Sequence, residues 1–345
     1  MLPGSWVSPS ARFRVLQYVE LLEKQGHEII IRVIRPERDW SSPLSGFLCT
    51  LHSRLASLFR IFSALWITRD SAKFDIVFMQ RDLIPETSIT FLEPMLRRRR
   101  DNLVFDFDDA IFLGARDEKL RRILPLCALV IAGNEYLASY ARTYNENVVV
   151  IPTVIDTQRF HALEKDENST SCVGWTGSKS TVLFDLPCIW PVLDKLSREM
   201  EFEFLVIADE APLGVPESVC MKFIPWSPEN EITALRKMDV GIMPLRDEPR
   251  TRGKCGAKLL TYGAVGIPAV ASAVGVNEKI TLHGVTGYLC QTETEWHDSL
   301  RKLLRDKLLR EEMGRKARVH IQANYSLSIW SLRLVKYLKQ VASSS

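Results

Sequence analysis

The chain has 345 residues, of which 46% are hydrophobic and 25% charged, and its formal net charge is +3. That length exceeds one ordinary core and fits two domains of about 150–170 residues, and the balance of apolar and charged residues excludes a disordered chain. So small a cationic surplus gives no argument for nucleic acid as a partner.

No run reaches the ~18–20 apolar residues of a membrane span. The opening Met1-Leu-Pro-Gly lacks the charged and apolar regions of a signal peptide, so a cytoplasmic protein is expected. Seven cysteines (Cys49, Cys127, Cys172, Cys188, Cys220, Cys255, Cys290) are scattered with no CxxC pair, which reads as buried thiols in a reducing compartment.

Apolar runs alternate with helical-period segments throughout, which argues for α/β layers and largely parallel sheets. In the first half, residues 14–25 read as a helix stopped by Gly26. Strands are expected at 29–34, 74–79, 102–107, 128–132 and 148–151, with a helix over 134–144. In the second half, strands are expected at 171–175, 202–208, 221–225, 240–243, 269–273 and 288–291. Helices are expected at 185–199, 229–237 and 256–265. Residues 152–156 form the natural hinge, giving domains at 1–152 and 153–325, with 326–345 as a last helix crossing back to the first domain. A doubly wound domain normally opens with a buried strand, whereas this chain opens at the turn, Pro3-Gly-Ser5. The expectation is a missing first strand, from a late start codon or a truncated copy.

Several segments carry chemistry. Ser8-Pro-Ser-Ala-Arg-Phe-Arg14 brings Arg12 and Arg14 into the first helix, and Arg81 follows a strand, where doubly wound sheets bind ligands. Residues 47–70 are basic and amphipathic and Arg97–Arg100 adds four cations, a pattern that suits an anionic membrane as well as a core-facing helix with a solvated charge run. Val104-Phe-Asp-Phe-Asp-Asp-Ala110 places Asp106, Asp108 and Asp109 at the end of a buried strand. Such a cluster can hold Mg²⁺, as in haloacid-dehalogenase-type phosphatases, or cap the next helix. Within Val173-Gly-Trp-Thr-Gly-Ser-Lys-Ser180, Gly174 and Gly177 would let backbone approach a phosphate while Lys179 adds charge; an ordinary β–α turn is the alternative. Arg250 to Gly275 then combines Arg250, Arg252, Lys254 and Lys258 with a Gly-spaced entry into a helix. Cations with glycines at a helix start are how a protein holds a phosphorylated ligand.

The last segment resembles the nucleotide-sugar signature of retaining GT-B glycosyltransferases of family 4 (group 1), with Gly256, Ala264, Gly266, Pro268 and Val270 on the pattern. The two glutamates usual there are replaced by Gly253 and Thr261, and Asp247 and Glu248 stand nearby as substitutes. A threonine can make a hydrogen bond to ribose but not the bidentate grip of a carboxylate. Trp175 stands where the family often has an arginine.

The resemblance implies two doubly wound Rossmann-like domains facing a cleft. It implies transfer of a sugar, with retention and without metal or cofactor, from a nucleoside diphosphate donor to a sugar, polysaccharide or lipid-linked acceptor. Gly174, Gly177, Lys179, Arg252, Lys254, Lys258 and Thr261 would hold the donor; Arg12, Arg14 and Arg81 the acceptor; Asp106, Asp108, Asp109 and Lys258 would act at the reacting centre. A peripheral membrane contact would run through 47–70 and 97–100. A degenerate, non-catalytic GT-B protein, a related epimerase, and a Mg²⁺-dependent phosphohydrolase using Asp106 and Asp108 stand as alternatives.

Overall fold

The computed structural model describes residues 2, 8–33, 65, 69, 73–83, 92–97, 102–114, 116–161 and 170–344. The chain divides into two compact units, the first made of Met1–Thr153 with Trp330–Ser345, the second of Val154–Ile329.

The first unit opens with α1 (Pro9–Ala11), capped by the Ser8 side chain. It continues without a break through a π-helical turn, Arg12–Leu16, into α2 (Gln17–Lys24). Gly26 then takes a φ of 85°, the left-handed conformation that ends a helix. Strands β1 (Val77–Gln80), β2 (Leu103–Phe107), β3 (Leu129–Ala132) and β4 (Val148–Val150) form a wholly parallel sheet in that order. Helices α3 (Leu92–Arg97), α4 (Asp117–Ile123) and α5 (Glu135–Ala141) lie between them in sequence. Every residue of β2 and β3 is buried, as expected of parallel strands covered on both faces. The segment expected as a strand at 29–34 contributes one parallel bridge, Leu2 with Val33, and Leu2 is fully buried. Residues 3–5, residues 98–100 of the basic run and most of 47–70 lie outside the described residues.

The second unit is built on a six-stranded parallel sheet. In chain order its strands are β5 (Cys172–Gly177), β6 (Glu203–Ala208), β7 (Met221–Pro225), β8 (Val240–Met243), β9 (Ala269–Ser272) and β10 (Gly287–Cys290). In space they run β10-β9-β8-β5-β6-β7. The chain winds one way from β5 to β7 and the other way from β8 to β10, so the order reverses between β5 and β8. Open α/β sheets bind ligands at the carboxyl ends of the strands flanking such a reversal.

Helices α6 (Lys179–Phe184) and α7 (Trp190–Glu199) follow β5, and α8 (Glu231–Leu235) follows β7. After β8 come α9 (Pro249–Arg252) and α10 (Ala257–Ala264); α11 (Asn277–Ile280), α12 (Glu293–Arg305) and α13 (Lys307–Asn324) complete the unit. The last helix, α14 (Leu327–Ser344), passes into the part of the chain that groups with the first unit. Trp175, Phe204, Val206 and Leu193 are completely buried at the centre of the second core. Among the described residues no helix is long and apolar enough to cross a membrane. Cys127, Cys172 and Cys290 are buried, but Cys220 is exposed and Cys188 and Cys255 are half-buried.

Candidate functional site

Two clusters of charged side chains sit at strand ends, one in each unit. In the first, β2 ends in Asp106 and Phe107, and Asp108 and Asp109 follow. Arg14, brought in by the π-helical turn, grips Asp106 with both sides of its guanidinium, Nε donating at 3.1 Å. Its remaining nitrogen donates to the Ile151 carbonyl at 2.7 Å. Both side chains are only 2% exposed. Burial pushes the Asp106 carboxyl up against the pull of Arg14. This pair ties β2, the first helix and the end of β4 together. Arg14, expected as an acceptor contact, and Asp106, expected as a reacting group, are bound to each other and buried.

Asp108 and Asp109 belong to an outer layer. Arg81 donates to Asp108 Oδ1 at 2.8 Å, to Asp109 Oδ2 at 2.5 Å and to Ser10 Oγ at 2.7 Å. The Ser10 hydroxyl in turn donates to Asp108 Oδ2 at 2.7 Å. Burial works against the Asp108 charge, but Arg81, Arg14 and the Ser10 hydroxyl outweigh it and hold its carboxyl below the usual range. Asp109 is 49% exposed, so the network reaches solvent there. Arg81 itself has a φ of 60°, the one non-glycine in the left-handed region among the described residues. Such a conformation costs ~1–2 kcal/mol and persists only where surrounding contacts enforce it. Arg12 lies against the Phe13 ring, 5.2 Å from its centroid. Each carboxylate of this run is bound to a guanidinium. Among the described residues no group of His, Cys, Asp and Glu is placed to hold a metal.

In the second unit, the loops after β5 and β8 lie on either side of the reversal. Gly256 takes a φ of 70° at the start of α10, where a side chain would also strike Ile280. Lys258, on the first turn of α10, holds its ammonium 5.1 Å from the centre of the Trp175 ring. The Tyr262 hydroxyl accepts from the Thr176 N–H at 3.1 Å and donates to the Ile242 carbonyl at 3.2 Å, fixing α10 to β5 and β8. The two segments singled out in the sequence, 173–180 and 250–275, therefore meet.

A third segment joins them. Asp185, just past α6 and 2% exposed, accepts from Arg250 at 2.7 Å and stands 3.0 Å from the Lys254 ammonium. Burial opposes its charge, yet Lys254, Arg250 and Lys258 hold its carboxyl below the usual range.

Not every expected donor residue joins this cluster. Gly174 lies within β5, and the space a side chain would need is filled by Met238. Gly177 faces the Trp175 ring and Thr181 in the same way. Trp175 is wholly buried core. Lys179 pairs with Glu210 at 2.6 Å and Arg252 with Asp247 at 2.6 Å, both in exposed positions. Thr261 is buried and its hydroxyl donates to the Lys258 carbonyl at 2.7 Å, so its proton serves its own helix. Glu248 sits 3.1 Å from Arg250. Asp185 and Ser10 were missed by sequence reasoning. Neither has a local signal, because their partners lie 65 and 98 residues away.

Residues 190–306 match the family described as glycosyl transferases group 1. The fold is GT-B.

The chain aligns over 90% of its length with sucrose-phosphate synthase from Thermosynechococcus elongatus, covering 84% of that chain at 14% identity and a TM-score of 0.62. It aligns over 93% of its length with Anabaena HepE in complex with UDP, covering 89% of that chain at 14% identity and a TM-score of 0.62. Both are GT-B proteins by fold. A curated relative, D-inositol 3-phosphate glycosyltransferase from Pseudarthrobacter chlorophenolicus, is 29% identical over 133 residues, 38% of this chain. The match spans 30% of that relative's length.

Proposed function

We propose that this GT-B protein is a retaining, metal-independent glycosyltransferase. It moves a sugar from a nucleoside diphosphate donor held by the second unit to a hydroxyl of a sugar or lipid-linked acceptor read by the first. The observation that carries the reading is the convergence of Arg250, Lys254 and Lys258 around the N-terminal turn of α10, at the reversal of strand order. A helix N-terminus with several cations favours a diphosphate. The family match covers this segment, and Anabaena HepE is known in complex with UDP and with UDP-glucose.

As the bond from the anomeric carbon to the donor phosphate breaks, negative charge grows on the leaving diphosphate. Three cations fixed in place can stabilise that charge without reorganising, which supplies what a divalent ion would otherwise provide. The acceptor hydroxyl forms the new bond on the same face, and its proton passes to the leaving phosphate oxygen, so no separate base is needed. In the first unit, Asp109 and the Arg81 guanidinium present an acceptor and a donor suited to sugar hydroxyls. With nucleotide sugar as donor, the reaction belongs to the cytoplasmic side, at the membrane where the acceptor is lipid-linked.

Calorimetric titration with UDP, GDP and ADP, with and without EDTA, tests the reading. Metal-independent binding of one of them, lost in Lys258→Ala, is expected; a folded protein that binds none refutes it. The anomeric configuration of the product, read by NMR, tests retention.

A further inference from the structure

The cations of the donor site are arranged around an anion that has no obvious place there. Asp185 lies beneath the site, 2% exposed, while the side chains above it are more open, Lys254 at 15% and Arg250 at 43%. Its two oxygens are divided between them, one for each cation. Arg250 is held a second time by Glu248 at 3.1 Å, and its guanidinium lies 5.8 Å from the centre of the Phe184 ring, one residue before Asp185. A carboxylate this deep is costly without partners, and an arrangement with the anion inside and the cations outside needs a reason.

We propose that Asp185 is the positioning residue of the diphosphate site. It gathers Arg250 and Lys254 to one point and sets their outward faces beside the first turn of α10, so that a diphosphate meets cations already in place. Long basic side chains lose much rotamer freedom when they are fixed. If the protein fixes them beforehand, the ligand does not have to, and binding gains accordingly. Asp185 is covered by the cations, touches no ligand and acts through them. The inference rests on the donor-site reading above.

The competing expectation is simple and opposite. As a mere counter-charge, Asp185 repels the incoming diphosphate, and its neutralisation would tighten binding.

Asp185→Asn keeps the shape and removes the charge. Titration of wild type and variant with UDP, GDP and ADP, and with the matching nucleoside, separates the cases. The expected result is at least a tenfold loss of affinity for the preferred nucleoside diphosphate, with affinity for the nucleoside unchanged. In an Arg250→Met, Lys254→Met background the same substitution should change diphosphate affinity less than threefold, because the side chains it acts through are gone. Unchanged or tighter binding by Asp185→Asn overturns the inference, as does a tenfold loss that persists in that background. If Asp185→Asn melts below the assay temperature, Asp185→Ser carries the same expectation, since water can enter beside both cations. A wild-type protein that binds no nucleoside diphosphate overturns the donor-site reading, and this inference with it; binding by wild type with equal binding by the variant overturns this inference alone.

Discussion

Replacing Asp106 with asparagine should destabilise the first unit rather than merely silence it. The substitution leaves Arg14 with its charge, only neutral amide oxygens (that of the new side chain and the Ile151 carbonyl) to accept from it, and almost no access to water. Removing one partner of a buried ion pair costs about 3–5 kcal/mol, because the survivor stays desolvated. Against a total stability of about 5–15 kcal/mol, that is a large fraction. At ~2–4 °C per kcal/mol for a unit of this size, melting should fall by about 6–20 °C. Thermal and urea denaturation of Asp106→Asn against wild type measures it directly. Nucleotide binding at low temperature should survive, since Asp106 lies in the first unit and the donor cations in the second. A shift of less than about 1 kcal/mol, well under the buried-pair cost, together with abolished turnover would refute the structural assignment and return Asp106 to the reacting centre.

Lys258→Ala should lower turnover on the order of 100-fold, the usual cost of one donor aimed at developing charge, while melting barely changes; steady-state kinetics with a melting curve checks both. Arg81→Lys cannot bridge Ser10, Asp108 and Asp109 at once, so turnover with acceptor should fall at least about tenfold while nucleotide affinity is retained. Gly174→Ala must displace the buried Met238 side chain and should cost about 1–3 kcal/mol in urea denaturation, with nucleotide affinity intact in the folded fraction. Asp108 and Asp185 both have carboxyls held below their ordinary value in the folded protein. The unfolded chain therefore binds protons first as pH falls. Their stabilisation should be complete above the unfolded value of ~3.9 and be lost as pH falls through the depressed range, which a melting series from pH 7 to pH 3 would show.

Much of the layer structure could be read from the chain because a buried parallel strand announces itself as an apolar run. The strand at Met221–Pro225 and that at Val240–Met243 fall where the apolar runs put them. No element was expected at 181–184, because Lys179-Ser-Thr-Val-Leu-Phe184 is too short to show a helical period, yet the segment is helical with Val182 buried. The helix expected from residue 185 begins at Trp190, because Asp185 is turned toward Arg250 and Lys254 and Leu186–Ile189 forms a 3-10 turn. In the candidate site, the same acidic run hides two roles. Asp106 and Asp108 are two residues apart and look alike in sequence, but Asp106 lies within β2 and is bound to Arg14 in the core, whereas Asp108 follows the strand and meets Ser10 and Arg81. Only the partner across the fold tells them apart. The glycines misled for a related reason: Gly174 and Gly256 are the same letter, one kept small by Met238, the other required by a φ of 70°.

The discontinuity of the first unit carries a consequence for how the chain matures on the ribosome. The second unit is a contiguous stretch, Val154–Ile329, whereas the first needs both Met1–Thr153 and Trp330–Ser345. Synthesis delivers the four-stranded parallel sheet early, but the helical segment grouped with it follows the whole of the second unit. The first unit to be made is thus the last to be completed, after a six-stranded domain has been synthesised. Parallel sheets already fold slowly because their contacts are distant in sequence. A nascent chain of this kind should depend on chaperones for longer than its length alone would suggest, and that dependence should end only when α14 is released.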